Sequence, residues 1–382
     1  MTDIMIIIDG MVDHPCAQLN HMTPFDYADC KNMKAIGQMG ATGTFSVKTE
    51  GFPIESLPCI LTLLGVPPIA IPNGRAYLEA LSQRIPMAQD DLILRCNLVR
   101  VENELLVSSC CEDLDADAFD RIAKVTEKFN SNNMTFCHMG SYKNLLTIKH
   151  ASSAITTLQC FAPHEHIGKP FAQLYPRGGQ VAGELCAFIE ESIQIINSAD
   201  DQKDRYYALL PWGQSIRQTL PSFESLHHKN AVSICATEIV RGFSLAMGMQ
   251  TPIIDGANAD TDTNLASKRN AVIEYIDKAD FILLHINGAD EAAHRRDPSE
   301  KASFLKEIDE TVIAPLIKEL PVGTGLLICS DHSTLSEYGS HAGDPQPFYL
   351  FRKGASPLGN LGERNGYDAI SILTKYQGGY HG

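Results

Sequence analysis

Asp331 and His332 stand at the end of the run Gly325-Leu-Leu-Ile-Cys-Ser, and His341 follows shortly after. A carboxylate beside an imidazole offers oxygen and nitrogen donors, a set that suits a divalent cation such as Mn²⁺ or Zn²⁺. The pattern recurs. Ile4-Met-Ile-Ile-Ile8 ends in Asp9-Gly10, and Phe281-Ile-Leu-Leu-His-Ile286 ends in Asn287-Gly-Ala-Asp290-Glu-Ala-Ala-His294. Asp290 and His294 share a face if a helix begins there. Each group alone has a plainer role as well: Asp9 with Gly10 can open a turn, Asp331 can cap one, and His332 can be a surface histidine. Ser56, in Glu55-Ser56-Leu57-Pro58, precedes an apolar helical stretch from Cys59 to Leu64. Its position suits an N-cap. Capping is the default for such a serine; the functional reading is a nucleophile, because a helix N-terminus favours an alkoxide and an incoming phosphate. His164 and His166 lie in a proline-bounded loop and read as solvated.

The elements that must hold these side chains are short apolar runs, long enough for buried strands and too short for helices. In an open α/β sheet, ligands bind outside the carboxyl ends of the strands, where these polar residues fall. Strand and helix patterns alternate along most of the chain. A helix is expected from Thr23-Pro24 to about Met39, a solvated helical face over the mixed charges of Lys301 to Asp309, and a last strand at Phe348 to Phe351. The stretch 90–165 differs: two strands, a helix from Asp115 to Phe129 and two more strands make a compact α+β unit. The expected organisation is therefore a core of 1–89 with 166–382, and an inserted domain, 90–165, that closes over a site.

With 382 residues the chain can bury a full core. Its net charge of −15 argues against nucleic-acid binding, which relies on clustered Lys and Arg. Eleven cysteines without a C-x-x-C pair read as small core residues of a reducing compartment. The N-terminal apolar run is far too short for a signal peptide or membrane span. A soluble, cytoplasmic protein is expected.

Taken together, Asp9, Ser56, Asp290, His294, Asp331, His332 and His341 make two ligand sets and a nucleophile. Two cations ~3.5–4 Å apart clamp the attacking and leaving oxygens of a phosphoryl transfer. The order Asp … Ser … Asp-x-x-x-His … Asp-His … His resembles the alkaline phosphatase superfamily. Within it, the chain is similar to the archaeal-type, cofactor-independent phosphoglycerate mutases. Arg95-Cys96-Asn97, Pro163-His164, Gly256 to Asn264 and His341-Ala-Gly-Asp344-Pro345 belong to the matching stretches, which run nearly end to end.

That resemblance implies an α/β fold with an alkaline-phosphatase-like, mostly parallel sheet sandwiched by helices, plus a smaller inserted α+β domain. It implies two divalent ions, Mn²⁺ or Zn²⁺ with Mg²⁺ and Co²⁺ as alternatives. One would be held by Asp290, His294 and His341, the other by Asp9, Ser56, Asp331 and His332. Ser56 would accept the phosphoryl group and return it to the other hydroxyl of glycerate. Arg75 and Arg95 are candidates for gripping a small phosphorylated metabolite, since guanidinium forks match carboxylate and phosphate; ordinary surface arginines are the other reading. Homo-oligomerisation is left open, and no membrane partner is expected. The family usually has Gly-Ser-Asp around its nucleophile where this chain has Glu55-Ser56-Leu57, and a lysine where it has Asn287. The same branch includes bacterial members proposed to act as homoserine kinases, so another phosphotransferase is the near alternative. A catalytically silent metal-binding protein is the alternative of another class.

Overall fold

The computed structural model describes residues 1–111, 116–131, 133–140, 142–198 and 204–376. Its strands, in chain order, are β1 (Asp3–Ile8), β2 (Ala41–Ser46), β3 (Leu92–Glu102), β4 (Leu105–Ser108), β5 (Met134–His138), β6 (Lys143–Ile148) and β7 (Arg205–Ile216). They continue with β8 (Ala231–Ile234), β9 (Phe281–Ile286), β10 (Gly325–Cys329), β11 (Ser333–Leu335), β12 (Ser340–Ala342), β13 (Gln346–Arg352) and β14 (Gly359–Asn365). The chain divides into two units, Met1–Pro72 with Thr219–Gly382, and Asn73–Gln218.

In the first unit, β1 lies between β9 and β10 and runs parallel to both, with Ile4 opposite Ile282 and Leu326. The sheet order is β14-β2-β13-β10-β1-β9-β8, and only β13 opposes the common direction. Strands covered on both faces need apolar side chains at every position, and β1, β9 and β10 are buried throughout. Ile4, Ile6 and Ile8 pack with Met33, Ile36, Val272, Leu305 and Ile308, which come from the helices Lys31–Met39, Leu265–Tyr275 and Pro298–Ile308. This is an α/β fold with a mostly parallel sheet, as expected.

Three details of this unit differ from expectation. The helix after Thr23 ends at Ala28, where Asp29 takes a left-handed conformation, and a second helix starts at Lys31. β14 follows Phe348 to Phe351 as a further edge strand, its polar sequence hiding it from a hydrophobic pattern. Most consequential, the helix Pro298–Ile308 does not present all its charges to solvent. Lys301 is fully buried and its Nζ binds Asp13 Oδ2 at 3.0 Å, while buried Asp309 accepts from the backbone of Asn32 and Met33. A mixed-charge helix buries a lysine when a distant carboxylate meets it.

The second unit is a sheet of order β4-β3-β6-β5, with β7 on the other side of β3. Ile122 and Val125 of the helix Ala116–Phe129, and Leu185, Phe188 and Ile189 of the helix Gly179–Ile196, close its core. Asp115, expected to open the first of these helices, lies outside the described residues. The expected boundaries at 90 and 165 are too narrow. β7 pairs with β3 from Leu92 opposite Ile216 to Glu102 opposite Arg205, so the sheet is completed only at the C-terminal side of the segment.

Candidate metal centre and nucleophile

The three central strands deliver the polar residues side by side. Asp9 follows β1 directly, and its amide still donates to Ile286 O of β9 at 2.9 Å. Asp331 lies just past β10, and the short helix Gly288–His294 after β9 carries Asp290 and His294. The hairpin β11–β12 sets Thr334 opposite His341, so His341 sits in a strand where a loop was expected. Gly10 has φ +62, and a Cβ there would stand 2.9 Å from Asp290 Cα and 2.7 Å from Thr334 Oγ1. Only glycine permits that approach.

Asp290, His294 and His341 form one cluster. His294 Nε2 lies 3.2 Å from Asp290 Oδ2, and His341 Nε2 lies 3.5 Å from Asp290 Oδ1. His294 Nδ1 is 2.9 Å from Gly339 O, and His341 Nδ1 is 2.9 Å from Ile54 O. A carbonyl only accepts, so each ring keeps its proton on Nδ1 and, when neutral, turns an Nε2 lone pair inward. Burial pushes the Asp290 carboxyl up, but hydrogen bonds from His294 and His341 overcome it and hold the group well below its ordinary range. The hydrogen bond to Asp290 in turn raises His294 to about 9.

Asp9, Asp331 and His332 form the second cluster, and all three are buried. His332 Nε2 lies 3.4 Å from both Asp9 Oδ1 and Asp331 Oδ2. Burial, reinforced by Asp331 and Asp290, pushes the Asp9 carboxyl well above its usual range, and burial raises Asp331 too. Ser56 Oγ donates to Asp9 Oδ2 at 3.2 Å and lies 3.2 Å from His332 Nε2. Ser56 is not the N-cap: Glu55 is, and Ser56 is the first residue of the helix Ser56–Leu63. Its hydroxyl is thus turned to the cluster instead of to its own helix.

Whether a cation fits is decided by counting protons. Asp9 Oδ1 and Asp331 Oδ2 are buried oxygens with no hydrogen-bond partner among the described residues. Two inward Nε2 atoms meet at 3.0 Å in the first cluster. Acceptor atoms crowd together in both places, an arrangement relieved by a proton or by a positive ion. The oxygen and imidazole donors fit divalent ions.

His285 and Thr334, which the sequence did not single out, complete the site. His285, inside β9, is buried, and its Nε2 is 3.1 Å from Asp9 Oδ2. Burial, with the Lys268 ammonium adding, drops it to about 3, so it is neutral and donates to Asp9. A histidine within an apolar strand was the available signal. Thr334 Oγ1 donates to Asp290 Oδ1 at 2.6 Å. Asn287 donates to Ala259 O at 2.9 Å and Glu291 Oε1 at 3.2 Å, and Leu57 is buried.

In the second unit, Arg75 and Arg95 converge on Glu79, at 4.0 and 3.1 Å. Arg95 lies over the Trp212 ring at 4.4 Å, and Trp212 Nε1 donates to Asn97 Oδ1 at 2.9 Å. The β3–β7 register shifts between Ile93 and Arg95, which turns Trp212 onto the arginine. His164 is exposed, as expected, and edges Trp212 at 5.3 Å, while His166 Nδ1 is 2.9 Å from Ala162 O. A third grouping, Asp90, Asp91 and His150, is different in kind: the Asp91 oxygens are taken by the Ala88 and His150 amides.

An α/β sheet with two Asp/His clusters and a serine at its strand ends makes a site of metalloenzyme type. The family model of the metalloenzyme superfamily matches residues 1–372, and the chain belongs to that superfamily. It is a divalent-metal-binding protein. It is 28% identical to the 2,3-bisphosphoglycerate-independent phosphoglycerate mutase of Methanothrix thermoacetophila, over 100% of this chain and 96% of the relative. The enzyme of the same name from Methanosarcina barkeri is 27% identical, over 97% and 98% of the two chains. Among solved structures, the PH0037 protein from Pyrococcus horikoshii superposes with a TM-score of 0.80 at 23% identity, covering 98% of this chain and 97% of that one. The cofactor-independent phosphoglycerate mutase from Thermoplasma acidophilum gives 0.65 at 19%, with 99% of each chain covered. These two likenesses establish the fold.

No helix among the described residues is long and apolar enough to cross a membrane.

Proposed function

We propose that the protein is a cofactor-independent phosphoglycerate mutase that interconverts 3- and 2-phosphoglycerate through a phosphoserine at Ser56. The carrying observation is the Ser56 hydroxyl, at a helix N-terminus and within 3.2 Å of both Asp9 and His332. Relatives named as such mutases, similar over the whole length, support the same reading.

Asp290, His294 and His341 would hold one divalent ion, and Asp9, Asp331, His332 and Ser56 the other, with Mn²⁺ or Zn²⁺ the first choices and Mg²⁺ or Co²⁺ the alternatives. When bound, such ions neutralise the phosphoryl oxygens and acidify a coordinated hydroxyl. Ser56 Oγ attacks phosphorus as the bond to the C3 oxygen of glycerate breaks, and the departing oxygen takes the proton that the serine hydroxyl has given up. The glycerate turns, its C2 hydroxyl attacks the phosphoserine and gives up its own proton as the bond from phosphorus to Ser56 Oγ breaks, and that proton restores the serine hydroxyl. Asp9 Oδ2 is the acceptor placed for the serine proton, while His285 holds that carboxylate from behind. The helix N-terminus favours the phosphoryl group on Ser56. Arg95, stiffened by Trp212 and Glu79, and Arg75 beside it would bind the substrate carboxylate or phosphate, and the unit that carries them would act as the substrate-binding lid. Cysteines scattered through the chain without a C-x-x-C pair suit a reducing, cytoplasmic setting.

A second reading within the same chemistry is another small-metabolite phosphotransferase, homoserine-kinase-like. It is favoured by Leu57, a buried apolar residue where the resembling family carries a carboxylate. The test is trapping of a phosphoenzyme with labelled phosphoglycerate in wild type and Ser56→Ala, beside a homoserine-plus-ATP assay. Label on wild type alone, with conversion of 3- to 2-phosphoglycerate, is expected. Label retained on the alanine variant would move the nucleophile elsewhere, and homoserine phosphorylation without mutase turnover would select the second reading.

A further inference from the structure

Thr334 is wholly buried and belongs to neither ligand cluster, yet its hydroxyl stands between them. Its Oγ1 lies 2.6 Å from Asp290 Oδ1 and 3.2 Å from His332 Nδ1. A hydroxyl has one proton to donate and lone pairs to accept with. An ionised carboxylate only accepts, so the Thr334 proton goes to Asp290. A lone pair is then left for the Nδ1–H of His332. That fixes the tautomer of His332, whose Nε2 lone pair turns toward Ser56, Asp9 and Asp331.

The backbone of Thr334 is held as firmly as its side chain is shared. Its amide donates to Val12 O at 3.1 Å, and its carbonyl accepts from the buried Lys301 Nζ at 2.8 Å. Lys301 also binds Asp13, which accepts from Ser336 Oγ at 2.6 Å. Across the hairpin, Thr334 pairs with His341. On the remaining side Gly10 supplies the space that a Cβ would fill, 2.7 Å from Oγ1. The loop after β1, the helix Pro298–Ile308 and the hairpin thus all set where one hydroxyl sits.

We propose that Thr334 is a positioning residue that ties the two ion sites together, orienting Asp290 in one and selecting the His332 tautomer in the other. The inference rests on the two-ion reading above. Its consequence is specific: because one hydroxyl serves both clusters, removing it weakens both, where loss of a ligand would weaken mainly its own. Outer groups that orient metal ligands commonly change affinity by about 10–100-fold.

The experiment titrates metal-stripped wild type, Thr334→Val and Thr334→Ser with Mn²⁺ by calorimetry, and follows the bound pair by electron paramagnetic resonance. Valine keeps the shape without the hydroxyl; serine keeps the hydroxyl. Wild type is expected to bind two Mn²⁺ ions showing mutual spin coupling. Thr334→Val should lose about tenfold or more in affinity at both sites and alter the coupling, with Thr334→Ser recovering both. Should the valine variant fail to fold by circular dichroism, Thr334→Ala measured against Thr334→Ser makes the same comparison. Wild-type binding in the variant lacking the hydroxyl, weakening of one site alone, or a serine variant no better than it overturns the proposal while leaving the two-ion reading intact. A wild type that does not take up two Mn²⁺ ions overturns both.

Discussion

The Nε2 atoms of His294 and His341 face each other at 3.0 Å, and a backbone carbonyl holds each ring by its Nδ1. Two imidazoles fixed in this way share an acidic neighbour, Asp290, and compete with any cation through protonation. In metal-stripped protein His294 is raised to about 9, above its ordinary value of 6.5. A folded-state value above the unfolded one means that the native state binds the extra proton. The stabilisation is therefore complete below about pH 6.5 and is lost as pH rises through about 9. The melting temperature of metal-free protein should fall across that window, and His294→Ala should flatten the fall. Metal affinity should change in the opposite sense and rise with pH, because ligation requires the unprotonated ring. Chelator should abolish activity, and added divalent metal should restore it.

Ser56→Ala should reduce phosphoryl transfer by more than about a thousandfold, as loss of a covalent nucleophile does. Because Glu55 occupies the cap position, the substitution removes no capping bond, and stability should change by less than about 1 kcal/mol. Thermal unfolding and metal analysis of the purified variant check this: an intact fold with an emptied metal centre would trace the lost activity to Ser56 as an ion ligand instead of to its loss as the nucleophile.

Lys301→Met should be among the most destabilising single changes near the site. It strands Asp13 as a buried charge, and breaking such a pair from one side costs about 3–5 kcal/mol. The double variant Asp13→Asn with Lys301→Met should recover part of that loss, since the stranded charge is removed. Denaturant unfolding of the two single variants and the double gives the coupling directly; additive losses would mean that the pair does not act as a unit.

Arg95→Lys should raise the KM for phosphoglycerate by roughly 10–100-fold, the range expected for losing a charge-assisted hydrogen bond. A lysine keeps the charge but neither the planar stack on Trp212 nor the fork. Mn²⁺ stoichiometry should be unchanged. An unaltered KM would remove Arg95 from the substrate site and leave it as a structural partner of Glu79.

Local sequence by itself determined the sheet and the kinds of ligand it carries. Ile4–Ile8, Phe281–Ile286 and Leu326–Ile328 are apolar at nearly every position because parallel strands are buried on both faces, and the first polar residue after each run marks the strand end. Order and residue type thus made Asp9, Asp290 and Asp331 legible as candidates, and β9 and β5 fall where they were expected. Other features depend on partners far along the chain. Ser56 differs from a capping serine by a single helix position, and its partner His332 is 276 residues away. Lys301 reads as a surface charge until Asp13, 288 positions distant, meets it. The second unit extends to residue 218 because β7 supplies the far edge of β3, a pairing that no local pattern encodes. Hydrophobic periodicity is a property of neighbours in sequence, whereas burial of a charge, choice of a tautomer and completion of a sheet edge are set by which distant groups the fold brings into contact.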